Sequence, residues 1–293
     1  MRLLLLGKNG QVGWELQRSL APLGEVMALG REEADLADAA SLRAAVATAA
    51  PDVIVNAAAY TAVDKAESEP ERADRINHRA VAELAALAAA RDALLVHYST
   101  DYVFDGRKVG PYIESDPTGP LGVYGQTKLA GEAAVTASGA RALVFRTSWV
   151  HAGRGGNFIR TMLRLAGERD SLRVVADQIG APTSAALIAD ITAQAIGAAL
   201  APGVYHLTAA GETSWHGLAQ FVIAEALAAG VPLRARPETV TAITTAEYPT
   251  PAARPANSRL DTAKLRRALG IALPDWREGA RRSVLQSIER AAA

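Results

Sequence analysis

Short runs dominated by apolar residues alternate with alanine-rich stretches through the first half of the chain, and this alternation limits the fold more than any other feature. The apolar runs lie at 3–6, 26–29, 53–56, 94–99 and 143–146. A strand with one face in water alternates apolar and polar residues; a run without alternation is covered on both faces, as in a parallel sheet between two helical layers. The stretches between them, 12–20, 40–49, 76–90 and 128–136, have helix-forming composition, and their alanine richness reads as helix propensity. Repeated strand-helix-strand order predicts an α/β fold with a doubly wound parallel sheet, and ligands in the crevice beyond the carboxyl ends of the strands.

Beyond Trp149 the alternation weakens, and Gly153, Gly155 and Gly156 mark a loop before a helical stretch from Asn157 to Arg169. With 293 residues the chain is long enough for a second, smaller unit. The expected division is a dinucleotide-binding domain over 1–150 that also takes 172–203, and a substrate-binding lobe made of 151–171 and 204–293. Residues 172–175 and 185–199 are expected to return to the first sheet as a strand and a helix. No internal repeat is visible.

Lys+Arg and Asp+Glu balance at 31 each, so no net field draws nucleic acid or an acidic membrane surface to the whole protein, and any anion must be bound locally. There is no cysteine, which excludes disulfides and thiolate metal sites. The apolar start at 3–6 is too short for a signal-peptide core or a membrane span, so the expected location is cytoplasmic.

Gly7, Gly10 and Gly13 follow the first strand and open the first helix as G-K-N-G-Q-V-G. Glycines here let the backbone turn sharply and approach a pyrophosphate, whose charge is met by free amides and the helix dipole. The spacing differs from G-x-G-x-x-G, and taken alone the three glycines also fit a tight turn. At the end of the second strand an acidic residue would accept hydrogen bonds from the adenosine ribose. The chain instead has Gly30 and Arg31 there, and a guanidinium suits a 2′-phosphate, so NADPH is expected before NADH. A solvated loop charge is the other reading of Arg31. Asp35, at the end of the same loop, is expected on the adenine side and leaves NADH use open.

Tyr124 and Lys128 in Y-G-Q-T-K are four residues apart and share a helix face. A phenol titrates near pH ~10 in water; a neighbouring ammonium is expected to lower that value and make Tyr124 a general acid. Y-x-x-x-K is also common on ordinary amphipathic helices. Its neighbour in the pattern is S-T-D-Y-V-F at 99–104, directly after the fourth strand, where Thr100 is placed to hydrogen-bond a reacting carbonyl and Ser99 is a second candidate.

A glycine loop G-x-x-G-x-x-G, a Ser/Thr after the fourth strand and Y-x-x-x-K together resemble the extended short-chain dehydrogenase/reductase family, which acts largely on nucleotide sugars. Within it the sequence is similar, over nearly its whole length, to the dTDP-4-dehydrorhamnose reductases. The matching stretches are G-K-N-G-Q-V-G-W-E-L-Q (7–17), D-V-I-V-N-A-A-A-Y-T-A-V-D-K-A-E (52–67), S-T-D-Y-V-F, V-Y-G-Q-T-K-L-A-G-E (123–132), F-R-T-S-W-V (145–150), N-F-I-R-T-M-L-R-L (157–165), D-Q-I-G-A-P-T (177–183) and R-P-A-N-S-R-L (254–260). The resemblance implies reduction at C4 of dTDP-4-dehydro-β-L-rhamnose to dTDP-β-L-rhamnose, the last step of dTDP-L-rhamnose biosynthesis, with NADPH as hydride donor, Tyr124 as proton donor and Lys128 also on the nicotinamide ribose. Carried onto matching positions, it implies cofactor contacts at Gly10, Gln11, Val12, Asp35, Leu36, Ala59, Tyr60, Thr61, Tyr98, Tyr124 and Lys128. Sugar-side contacts are implied at Thr100, Asp101 and Trp149. On physical grounds Ala57 to Ala59 leave room for the cofactor against the third strand, and Trp149 offers an amphipathic face or fills the core.

Arg254 and Arg259 are candidates to neutralise the substrate diphosphate, with surface charges as the other reading. Glu15 matches a glutamate that some relatives use in a Mg2+-linked dimer, but Ala186 stands where they carry another glutamate, so the resemblance does not bring a metal site with it. A homodimer stays open. The histidines are dispersed without ligand spacing, and no catalytic metal is expected. Two rivals share the fold: a non-catalytic regulatory protein, against which Tyr124, Lys128 and Thr100 speak, and a nucleotide-sugar epimerase, which would retain NAD+ where Gly30-Arg31 suits an exchanged NADPH.

Overall fold

The computed structural model describes residues 1–292. Six parallel strands form the central sheet: β1 (Arg2–Leu6), β2 (Glu25–Leu29), β3 (Val53–Asn56), β4 (Leu94–Thr100), β5 (Ala142–Thr147) and β6 (Gly203–His206). Their order across the sheet is β2-β1-β3-β4-β5-β6. The five apolar runs read from sequence are β1 to β5. The chain steps from β1 to one side and then returns to its other side, so the order reverses between β1 and β3, and a crevice opens above their carboxyl ends.

Helices cover both faces, which is why the inner strands have no polar alternation. On one face α1 (Gln11–Leu20) packs on the sheet through Leu16 and Leu20, against Leu3, Leu5, Val53 and Val96. On the other, α2 (Ala39–Ala49), α3 (Ala80–Ala90) and α4 (Val123–Ala137) bury Leu42, Leu84 and Val135 against Leu4, Ile54 and Leu95. A π-helical turn, Arg75–Arg79, precedes α3 and carries the buried Asn77. Its amide accepts from Tyr60 N–H at 2.9 Å and donates to Tyr60 O at 3.0 Å and to Thr127 Oγ1 at 3.3 Å, tying the loop after β3 to α4. A Cβ at Gly131 would stand 2.3 Å from Asn77 O, so α4 approaches this turn as closely as only glycine permits.

The smaller lobe is built from α5 (Phe158–Glu168), α7 (Trp215–Ala228) and α8 (Trp276–Ala292), joined by Ile159, Leu218, Val222 and Val284 in one core. Between α5 and α7 in sequence, α6 (Ala185–Gly197) returns to the first lobe and packs Ile188 and Ala195 on the α1 face. Residues 172–175 do not return with it. The strand Leu172–Val175 pairs in parallel with Val240–Ile243 in the smaller lobe, and its Arg173 is exposed while Leu172 and Val174 are buried, a half-covered pattern foreign to the central sheet. Residues 204–206, expected in the smaller lobe, complete β6 beside β5. Among the described residues no helix is long and apolar enough to cross a membrane.

Candidate active site

The glycine loop is built by close approach. Gly7 ends β1 with φ +86° and donates to Leu29 O at 2.9 Å, and a Cβ on it would stand 2.8 Å from Ala58 N. A Cβ on Gly13 would stand 2.0 Å from Gly7 O, so α1 seats its first turn directly on the loop. Gly10 caps α1 with extended backbone and no side-chain bond, and the amides of Gln11 and Val12 at the helix start have no partner among the described residues. Those amides face an open cleft of about 750 Å³ that runs from the loop, past the end of β3, to the end of β4. Unpaired donors, the positive end of α1 and glycines that admit close approach fit a dinucleotide pyrophosphate.

At the mouth beyond β2, Arg31 lines the cleft with its side chain 69% exposed and Nε 3.5 Å from Asp35 Oδ2. Leu36 and the small residues Ala57 to Ala59 line the same wall, and Tyr60 and Thr61 continue it. One acid of this loop was not picked out from sequence. Glu33 accepts from Gly30 N–H at 2.6 Å and pairs with Lys8 at 2.6 Å; these bonds hold its carboxyl below the usual range. Nothing in the spacing distinguishes Glu33 from Asp35; the turn that closes Gly30 against it does.

At the other end of the cleft β4 delivers Tyr98 and Thr100, the turn after it Asp101, and the first turns of α4 deliver Tyr124 and Lys128. Thr100 Oγ1 donates to Asp101 Oδ1 at 3.1 Å and accepts from Tyr102 N–H at 3.2 Å. Burial pushes the Asp101 carboxyl up to about 6, against hydrogen bonds from Ser258 and Thr100. The Oδ2 of Asp101, Ser99 Oγ and Thr147 Oγ1 are buried without a partner, and all three residues line the cleft. Such atoms are costly unless something hydrogen-bonds them.

The expected lowering of the Tyr124 phenol by Lys128 does not hold in this geometry. Burial first, and the nearby Asp101 charge second, push the phenol above its ordinary value, with Thr100 opposing. The ammonium is turned the other way: Lys128 Nζ donates to Tyr98 O at 2.6 Å and lies 3.3 Å from His97 Nε2. It is 2% exposed, and burial lowers it to about 8 against the pull of Glu132. Shared helix face gave proximity of the backbone positions, but the packed side chain found a carbonyl on β4 that no helical spacing could announce.

Trp149 follows β5 at φ +50°, a left-handed conformation rare for a bulky residue, and lines the cleft. Its indole stacks on Trp215 with centroids 3.5 Å apart and planes at 9°, and Gly180 leaves no room for a Cβ, which would meet Trp149 Cε2 at 2.6 Å. Asn157, another residue the sequence reading did not assign to the site, caps α5 and donates to Gln11 Oε1 at 2.9 Å, joining the small lobe to the glycine loop. The two candidate arginines are not brought into the cleft wall. Arg254 pairs with Asp64 at 2.7 Å and donates to Tyr102 OH at 3.2 Å, at the rim. Arg259 donates to Asn257 Oδ1 at 2.8 Å and lies 3.4 Å from Glu212. Among the described residues no three metal-ligating side chains gather.

The comparisons with known proteins agree with this geometry. A family model described as the RmlD substrate binding domain matches residues 1–288. A dTDP-4-dehydrorhamnose reductase of Burkholderia thailandensis is 53% identical over 287 residues, covering 94% of this chain and 96% of that protein. Among solved structures, a dTDP-4-dehydrorhamnose reductase from Clostridium acetobutylicum superposes with a TM-score of 0.91 at 34% identity, covering 100% of both chains. Another from Bacillus anthracis, solved in complex with NADP, gives 0.90 at 33% identity and covers 97% of this chain and 99% of that one. The chain belongs to the dTDP-4-dehydrorhamnose reductase family.

Proposed function

We propose that the protein reduces the C4 keto group of dTDP-4-dehydro-β-L-rhamnose to give dTDP-β-L-rhamnose, the last step of dTDP-L-rhamnose biosynthesis, with NADPH as reductant. The observation that carries this reading is one continuous cleft with the anion-binding start of α1 at one end and Thr100, Tyr124 and Lys128 at the other, in a chain of this family. NADPH, when bound, supplies the hydride. Gln11 and Val12 would hold its pyrophosphate through their amides, Arg31 would meet the 2′-phosphate, and Lys128 would reach the nicotinamide ribose. Tyr124 gives its phenolic proton to the C4 oxygen and is in the donor form at neutral pH, as its raised proton affinity requires. Thr100 donates to that same oxygen once its hydroxyl turns from Asp101 Oδ1, and so holds the carbonyl beside Tyr124. Asp101 binds a sugar hydroxyl through its free Oδ2, and the stacked Trp149 forms the apolar wall for a deoxysugar.

We place this reaction in the cytoplasm, where nucleotide sugars and reduced nicotinamides are made. The test is NADPH consumption with dTDP-4-dehydrorhamnose and NMR identification of the product sugar. dTDP-L-rhamnose with stoichiometric NADPH oxidation is the expected result. Tightly retained NAD+ and an interconversion of sugars without net NADPH use would replace the reductase reading with an epimerase.

A further inference from the structure

The acid that the end of β2 lacks in sequence is supplied there by the fold. Position 30 is glycine, and the direction its side chain would take is occupied: a Cβ on Gly30 would stand 2.9 Å from Asn9 Nδ2, 3.3 Å from Glu33 Oε2 and 3.5 Å from Lys8 Cε. The turn after β2 brings this about. Glu33 N–H and Ala34 N–H donate to Gly30 O at 3.2 and 2.9 Å, which folds the chain back on itself, and Glu33 Oε2 then accepts from Gly30 N–H at 2.6 Å. Lys8, whose own N–H donates to Leu29 O at 3.2 Å, reaches across from the glycine loop and donates from Nζ to Glu33 Oε1 at 2.7 Å. The Glu33 carboxylate therefore fills the space that a carboxylate on residue 30 would fill, where Asn9, Gly30 and Arg31 line the cleft.

In a doubly wound dinucleotide fold, that is the place from which an acid meets the adenosine ribose. Asp35 is not in that place: its carboxylate accepts from Ala37 N–H at 2.9 Å and lies 3.5 Å from Arg31 Nε, further along the loop. Glu33 differs from an acid on the strand itself in one respect. Its side chain is long, 46% exposed, and held to Lys8 by an exposed ion pair, a kind of contact that is weak and exchangeable. It can turn out into water while the main chain stays where it is. What it leaves behind is Gly30 N–H and the Lys8 ammonium, next to the guanidinium of Arg31, a set of donors suited to a phosphate.

We propose that Glu33 sets the choice of cofactor: in the position shown its carboxylate accepts from the ribose 2′-hydroxyl of NADH, and by turning out into water it yields Lys8 and Gly30 N–H to the 2′-phosphate of NADPH. This role presupposes the nicotinamide cofactor of the proposed function and adds to its site two side chains, Lys8 and Glu33, that the family resemblance does not bring to it. The carboxylate opposes a 2′-phosphate until it moves, so the preference for NADPH is smaller than Arg31 and Lys8 alone would make it.

Equilibrium binding of NADPH and NADH to the whole protein by calorimetry tests this, with 2′,5′-ADP and 5′-AMP as competitors that carry the adenosine ribose without the nicotinamide. Glu33→Gln keeps the length of the side chain and an oxygen that accepts from Gly30 N–H and Lys8, so the turn is retained while the charge is removed. NADPH and 2′,5′-ADP are expected to bind roughly fivefold tighter, because no anion competes for Lys8, and NADH and 5′-AMP roughly threefold weaker, because a neutral acceptor replaces a charged one. Lys8→Met is expected to weaken NADPH and 2′,5′-ADP by about tenfold and to leave NADH nearly as it was. If Glu33 only closes the turn, the glutamine closes it as well and the two affinities keep their ratio. An unchanged ratio in Glu33→Gln, or a change seen with the dinucleotides and absent with 2′,5′-ADP and 5′-AMP, overturns the proposal. Failure of the unmodified protein to bind either dinucleotide overturns the reductase reading together with this one, whereas binding with an unmoved ratio overturns this one alone.

Discussion

Replacing Glu132 by Ala should cost more stability than any single change in the cleft wall. Arg146 Nε donates to Glu132 Oε1 at 2.9 Å and to Oε2 at 3.2 Å, and Nη2 donates to Oε2 at 2.6 Å, with both side chains 6% exposed. Without the carboxylate, Arg146 keeps a long bond to Glu114 O at 3.3 Å and its place over the Phe104 ring, neither of which neutralises a buried guanidinium. Breaking a buried pair by deleting one partner costs roughly 3–5 kcal/mol, because the remaining charge is left uncompensated in a medium that solvates it poorly. Urea unfolding at pH 7 should therefore show a loss of about that size, and a melting temperature lower by roughly 6–20 °C. Replacing both residues by Met should recover most of the loss, since two apolar groups need no partner. A loss below about 1 kcal/mol in Glu132→Ala would refute the reasoning and imply that water or a shifted main chain solvates Arg146 in the variant.

Three further outcomes follow from the structure. Tyr124→Phe keeps the ring and removes the donor, so kcat in single-turnover NADPH oxidation should fall by about 10²–10⁴-fold with cofactor affinity retained; near-normal chemistry would end its role as proton donor. Arg31→Asp should lower the ratio of kcat/KM for NADPH over NADH, because a partner of the 2′-phosphate becomes a like charge; an unchanged ratio would return Arg31 to the exposed surface. Burial lowers His151 to about 4 and His206 to about 3 from an ordinary 6.5. The unfolded chain therefore binds more protons between those values, and stability present above pH ~6.5 should be lost as pH falls, by up to about 1.4 kcal/mol per pH unit for each histidine. Urea midpoints at pH 7 and pH 5 check the sign, and a higher midpoint at pH 5 would contradict it.

Five of the six strands of the central sheet were legible, most plainly where both faces are covered, a condition that writes itself into consecutive residues: 3–6 and 53–56 needed no tertiary information, whereas 203–206 went unread. The run L-R-V-V at 172–175 was read into the same sheet, yet Arg173 already marked a strand with one face in water, and that single charge was the available warning. Tyr124, Lys128 and Thr100 were singled out because Y-x-x-x-K and S-T-D stand beside a strand end, and the fold brings all three to one end of the cleft. Side-chain direction was not: Lys128 turning to Tyr98 O, Arg254 closing on Asp64 and Arg259 on Glu212 depend on neighbours 30 to 190 residues away. His97 was hidden for the opposite reason, since it sits inside a run whose apolar character explained the strand well enough without it.

The stacked tryptophans narrow the ways this chain can drift in sequence. Trp149 stands at a left-handed φ that favours glycine, its ring lies on Trp215, and Gly180 has no space for even a methyl group against the indole. A larger residue at 180 strikes the ring, a smaller one at 215 unseats it, and a β-branched one at 149 rejects the backbone angle. The three positions are therefore coupled as a unit: substitutions that are harmless in another background are lethal to the wall singly, and descendants that alter its shape should carry changes at two or three of them together.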